Sequence, residues 1–123
     1  MKLVFTQEEQ ISIHYLVQCL IKADGLILPE ENVCWNTISL KMGWASVKPE
    51  DFANYEQTTA LAILSAMDEE KKRFATAFFT MIILADQQVA PEEADLLKKY
   101  SIEARLPEIP MNSCADVLEQ YIS

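Results

Sequence analysis

The sequence predicts an all-α protein, and three observations support that prediction. The chain has only two glycines in 123 residues, fewer than the tight turns of an all-β protein need. No segment alternates polar and apolar residues over the length of a strand. A helix-turn-helix segment also occurs twice. Together these observations predict one compact domain of six to seven helices over residues 1–123.

The doubled segment covers residues 21–31 and 83–93. Each copy contains the end of an apolar stretch, then Ala-Asp, then Pro-Glu-Glu, at a constant offset of 62 positions (86 minus 24). Proline fits the first turn of a helix, because its missing N–H would have no partner there. The pattern therefore predicts two similar helix-turn-helix halves, at about 6–45 and 68–106.

Apolar periodicity and end signals place the helices along the chain. Thr6 and Glu9 have the spacing of a capping box that starts the first helix. That helix runs to about Ala23, and Gly25 supplies the left-handed residue that helix ends favour. The remaining helices are predicted over 29–43, in a short stretch beginning at Pro49, and over 58–67, 69–85, 91–104 and 113–122.

Charge and cysteine content limit the classes of function. Nineteen acidic and ten basic residues give a net charge of −9, which repels phosphate backbones and argues against a nucleic-acid partner. The three cysteines are odd in number and far apart, which favours a reducing, cytoplasmic compartment. The longest apolar run, residues 74–85, has about twelve residues where a membrane span needs about twenty. We therefore expect a protein that does not span a membrane.

The two acidic turns also carry a family pattern. Ala-Asp-Gly, a hydrophobic residue and then a Glu at a helix start occur twice in one small helical chain. With this pattern the chain resembles the tellurite-resistance TerB-like family over roughly residues 6–122. The matching residues are Ala23, Asp24, Gly25, Ile27 and Glu31 in the first copy, and Ala85, Asp86, Val89 and Glu93 in the second.

The resemblance implies an all-helical fold in which the two acidic turns lie near one another, with a role in binding a divalent metal. It also implies an association with stress response and with complexes near the membrane, and no agreed enzymatic activity. The chain departs from the family pattern at Gln87, which replaces the second glycine. Positions 26, 28, 88 and 90, where the family often has oxygen ligands, hold Leu, Leu, Gln and Ala.

Four carboxylates are the candidate metal ligands: Asp24, Glu31, Asp86 and Glu93. Calcium binds about six to eight oxygens and magnesium a few carboxylates with water, so either ion could use this set. Helix caps explain the same residues without a metal, since first-turn carboxylates gain about 0.3–1 kcal/mol from the helix dipole. Both interpretations stay open on the sequence.

Other residues give weaker predictions. Trp44, in a predicted connector, is the candidate for an exposed anchor that binds a protein partner. His14, the only histidine, is expected at the surface or at the edge of the core. No nucleophile, base or cofactor motif can be named, so we predict a non-enzymatic binding module with no catalytic residues. A structural or oligomerising protein, and an enzyme using a carboxylate pair, are the alternatives, and the oligomeric state stays open.

Overall fold

Apolar helix faces and well-capped helix starts organise the fold. A computed structural model of the chain describes residues 3–23, 25, 29–44, 55–85 and 90–122. Within these residues the structure is all-helical, with six α-helices and no strand. The helices are α1 Gln7–Lys22, α2 Pro29–Met42, α3 Gln57–Ser65, α4 Glu69–Leu84, α5 Pro91–Glu103 and α6 Cys114–Ile122, the last preceded by a 3-10 turn at Met111–Ser113.

The predicted fold class is therefore confirmed, and most predicted helix bounds lie within a residue or two of those observed. The short helix predicted to begin at Pro49 lies outside the described residues. Among the described residues no helix is both long and apolar enough to cross a bilayer.

Helices α1 and α4 both begin with a side-chain N-cap. The Thr6 hydroxyl accepts from the Glu9 backbone N–H, and Glu9 accepts from the Thr6 N–H, which completes the predicted capping box. At the start of α4, the Asp68 carboxylate accepts from the Lys71 N–H. Each cap provides a hydrogen-bond acceptor for an early helix N–H. Thr6 and Asp68 are 62 positions apart, as are Glu9 and Lys71.

Helices α1 and α4 lie against each other at the centre of the molecule. Both are 16 residues long, and α4 is buried along most of its length, with Phe74, Phe78 and Phe79 at zero exposure. The remaining helices cover this pair in a crossed arrangement. Helix α2 packs on α4 and α6, and α5 packs on α1 and α3. Helix α3 lies on α1, and α6 lies on α4.

This arrangement has the pattern of an internal two-fold. Exchanging α1 with α4, α2 with α5 and α3 with α6 reproduces these helix contacts, except that α4 also packs on α5 more extensively than α1 packs on α2. The equivalent residues Glu9 and Lys71 form an ion pair with each other, with Lys71 Nζ 2.8 Å from Glu9 Oε1. Because these two residues correspond and touch, an axis relating the halves passes between them.

Candidate functional site

Glu31 and Glu93 occupy the same position in the two halves. Each is the third residue of its helix, after Pro29 in α2 and Pro91 in α5. Each is only 2 % exposed, whereas the preceding acids, Glu30 and Glu92, are exposed. Two of the four predicted metal ligands are thus buried carboxylates at the starts of helices. The other two, Asp24 and Asp86, lie outside the described residues.

The burial of Glu31 and Glu93 needs a physical explanation. An ionised carboxylate costs several kcal/mol to desolvate unless charge or hydrogen bonds compensate it. The first turn of a helix offers free N–H groups and the positive end of the helix dipole. Each of these two side chains also makes at least one hydrogen bond, ion pair or electrostatic interaction. Both positions can therefore hold negative charge below the protein surface.

Glu9 shows what a glutamate at this helix position does in α1. Burial alone would raise its pKa, but the Lys71 ammonium and the hydrogen bonds with Thr6 outweigh burial and lower the pKa below its usual value. There the carboxylate is both a cap and one member of an ion pair. A cap at the same position of α2 and α5 is thus chemically reasonable.

The donor chemistry of the acidic turns suits a hard cation. Carboxylate oxygens are the ligands that calcium and magnesium prefer, and the sequence places no lysine or arginine directly beside Glu31 or Glu93. In the part of the chain that the structure describes, no three His, Cys, Asp or Glu side chains gather closely enough to hold a metal ion. Any cation site at these turns would need the segments that contain Asp24 and Asp86.

Trp44 does not lie where the sequence predicted it. Its side chain is 9 % exposed and packs against four rings, with centroid distances of 5.3 Å to Phe5, 5.1 Å to His14, 5.7 Å to Phe74 and 6.1 Å to Phe78. The prediction of an exposed anchor is therefore wrong. The cause is the end of α2, where a left-handed residue turns the chain so that residue 44 enters the core.

His14 is also more deeply buried than expected, at 4 % exposure. Its Nδ1 accepts a hydrogen bond of 2.7 Å from Trp35 Nε1, which makes the neutral tautomer with a proton on Nε2. That Nε2 is buried and has no hydrogen-bond partner among the described residues. Burial lowers the pKa of His14 from 6.5 to about 4. The ring is thus a neutral member of an aromatic cluster with Trp35 and Trp44.

Two of the three cysteines lie in surroundings that favour the thiol. Cys19, Cys34 and Cys114 are all free. Burial raises the pKa of Cys34 and of Cys114, and both thiols donate to backbone carbonyls, of Met81 and Pro110. A raised pKa disfavours the nucleophilic thiolate, so these two side chains act as small core residues.

The comparisons with known proteins bear on the fold. No model of a protein family matches the chain, and no curated protein matches it. The structure is similar to the crystal structure of a protein of unknown function from Porphyromonas gingivalis, with a TM-score of 0.76 and 21 % sequence identity. The similarity covers 93 % of this chain and 97 % of that one. The chain therefore has an all-α fold that a solved structure shares.

Proposed function

We propose that this protein is a non-enzymatic, TerB-like binding module whose two acidic turns, residues 24–31 and 86–93, attract a divalent cation. One observation supports the proposal above all. Glu31 and Glu93 are buried to the same degree at equivalent helix starts, and each directly follows a segment with a further acid, Asp24 or Asp86. A bound cation would add to the interactions that already offset the cost of burying these charges.

In this proposal the four carboxylates act as oxygen ligands and the chain supplies no chemical step. Calcium or magnesium is the expected ion, since the turns offer carboxylates and backbone carbonyls rather than thiolates or imidazoles. The net charge of −9 would also favour a basic protein partner. The family resemblance also implies a role in stress response and in complexes near the membrane, and the odd number of widely spaced cysteines favours the cytoplasm.

A melting experiment tests the cation. The melting temperature is followed while calcium, magnesium, manganese and zinc are titrated separately into the whole chain. An ion that binds only the folded state raises the melting temperature. In the double variant Glu31→Gln/Glu93→Gln the rise should disappear. The matched control is Glu30→Gln/Glu92→Gln, which removes the same charge from the exposed neighbours and should leave the rise in place.

Two results would contradict the cation proposal. One is an unchanged melting temperature with every ion at millimolar concentration. The other is an equal loss of response in both double variants, because that would indicate general charge attraction rather than ligation.

The alternative is a structural or oligomerising protein whose acidic turns are helix caps. The capping box of Glu9, at the equivalent position of α1, favours it. Here Glu31→Gln/Glu93→Gln should lower the melting temperature without changing its response to any cation. Light scattering on the purified chain distinguishes a monomer from an oligomer. This alternative would be eliminated if a cation raised the melting temperature and only the Glu31→Gln/Glu93→Gln variant lost that rise.

A further inference from the structure

A cavity of about 600 Å³ lies in the second half of the molecule, and neither Glu31 nor Glu93 is among its described lining residues. Helices α4 and α5 and the segment after α5 form its walls, and Thr76, Leu97 and Leu106 are among its lining residues. Its volume falls in the range of small-molecule sites, which are commonly about 300–1,000 Å³. None of the predictions from the sequence involves this place.

The first half of the molecule shows what fills the equivalent space there. The residues 62 positions before Thr76, Leu97 and Leu106 are His14, Trp35 and Trp44. These three rings form one cluster, with centroid distances of 5.7 Å from His14 to Trp35 and 5.1 Å from His14 to Trp44. Each ring is replaced in the second half by a smaller side chain. The 62-position offset thus places smaller side chains at the cavity where the first half has aromatic rings.

The polar groups of the cavity are ready to accept hydrogen bonds. The Thr76 hydroxyl donates to the Lys72 carbonyl at 2.9 Å, and Thr80 donates to the Thr76 carbonyl at 2.8 Å. Ser101 donates to the Leu97 carbonyl at 3.0 Å. Each hydroxyl has one proton, which these bonds use, and two lone pairs, which can accept a hydrogen bond from a bound molecule. A ligand with an N–H or O–H donor would complement them.

The first half gives a precedent for the donor. There the indole N–H of Trp35 donates to the ring nitrogen of His14, and Thr76 occupies the position equivalent to His14 in the second half. In the second half, a ligand ring at the place that corresponds to the Trp35 indole would thus direct its N–H toward the Thr76 hydroxyl.

The charge at the cavity favours a cation over an anion. Exposed Glu108 is among its lining residues, and the described lining residues include no lysine or arginine. The net charge of −9 acts in the same direction. We propose that this cavity binds a small, flat aromatic molecule that carries a ring N–H donor and a cationic amine.

Tryptamine is the probe for this site, and calorimetry and ligand-observed NMR with the whole chain are the measurements. Tryptamine should bind at millimolar concentration or below. Indole-3-acetate has the same ring and the opposite charge, and it should bind at least about tenfold more weakly. N-methylation of the indole nitrogen removes the donor and should also weaken binding. Absence of tryptamine binding at millimolar concentration, or equal binding of the acid, would overturn the proposal.

Two variants locate the site. Leu97→Trp restores the side chain that Trp35 supplies in the first half, so it should fill the cavity and abolish tryptamine binding. Ile102→Trp makes the same change at a position on α5 that is 68 % exposed, and it should leave binding unchanged. Tryptamine binding that persists in a folded Leu97→Trp protein would place the ligand elsewhere and refute the assignment.

An exposed substitution gives a test that does not depend on repacking. Glu108→Gln should narrow the preference for tryptamine over indole-3-acetate, whereas Glu8→Gln, an exposed change in α1, should not. Methyl NMR shifts on adding tryptamine should concentrate at Leu97 and Leu106. Shifts confined to other residues, or an unchanged preference in Glu108→Gln, would contradict the proposal.

Discussion

The imidazole of His14 illustrates how a single residue can make folding depend on pH. In the folded chain its Nδ1 accepts from Trp35, and burial holds its pKa at about 4. In the unfolded chain the same ring titrates near 6.5. As the pH falls below 6.5, His14 becomes protonated in the unfolded state but stays neutral in the folded state. The stability that this residue contributes above pH 6.5 is therefore lost as the pH falls toward 4.

We expect wild-type protein to lose about 2 kcal/mol of unfolding free energy through His14 between about pH 7 and about pH 5. His14→Gln keeps an acceptor for the Trp35 N–H but does not titrate, so this loss should be absent from it. Urea unfolding of both proteins at the two pH values measures the difference, because the carboxylates contribute to both proteins alike. The same pH dependence in the two proteins would show that the pKa of His14 is the same in the folded and unfolded states.

At the scale of the element, helices α2 and α5 end in the same way with different residues. Gly43 has φ 71° and Arg105 has φ 55°, both left-handed. In each case the N–H of the next residue donates a hydrogen bond to the carbonyl five positions earlier. Trp44 donates to Ser39 at 3.1 Å, and Leu106 donates to Ser101 at 3.0 Å. This closure satisfies carbonyls at the helix end. Glycine adopts the left-handed conformation without strain, and arginine does not.

These two ends form a matched pair for mutation. Gly43→Ala should destabilise the protein by about 1 kcal/mol, because the left-handed region disfavours a side chain. An added Cβ at Gly43 meets no atom within 4 Å, so steric contact contributes nothing to the loss. Arg105→Gly should instead stabilise by up to about 1 kcal/mol. Thermal and urea unfolding give both values, and Arg105→Ala, which keeps the strain, should be close to neutral.

At the scale of the whole molecule, the ion pair between Glu9 and Lys71 joins the starts of the two central helices. The two side chains are 16 % and 18 % exposed, and Lys71 Nζ also lies 5.3 Å from the centroid of the Phe5 ring. Partial burial reduces screening by salt, so this pair should contribute more than a fully exposed one.

A charge exchange tests the contribution of this pair. Glu9→Lys and Lys71→Glu each place two like charges opposite one another and should each cost about 1 kcal/mol or more. The double variant restores opposite charges, so its loss should be smaller than the sum of the two single losses by about 1 kcal/mol. Urea unfolding at low and high salt measures this coupling. If the loss of unfolding free energy in the double variant equals the sum of the two single losses, the ion pair contributes nothing to stability.

The sequence predicted the helices better than it predicted their packing. Capping residues and prolines are local signals, so the starts at residues 7, 29, 69 and 91 could be read directly. The crossed packing of α2 and α5 depends on contacts between residues far apart in the chain, and no local signal records it. Trp44 shows the same limit, because a residue in a connector was expected at the surface, yet a turn at the end of α2 takes it into the core.

Of the two candidate sites, the sequence indicated the acidic turns but not the cavity. The doubled acidic segment identified Glu31 and Glu93 from sequence, although their burial to 2 % exposure was not predicted. The cavity near Thr76 was missed altogether. Its signal was present in the 62-residue offset, since three ring-bearing positions in the first half correspond to Thr76, Leu97 and Leu106 in the second. Comparing side-chain size between equivalent positions would have indicated a space there.

The Glu9–Lys71 pair has a consequence for how such a chain can arise. If two separate copies of one half associated about a two-fold axis, each copy would present the same side chain at this point. Two glutamates or two lysines would then meet and repel. Opposite charges can face each other there only when the two halves differ in sequence, as they do within this polypeptide. The ion pair is thus a mark of divergence between the halves, and it favours the pairing of unlike halves over the pairing of like ones.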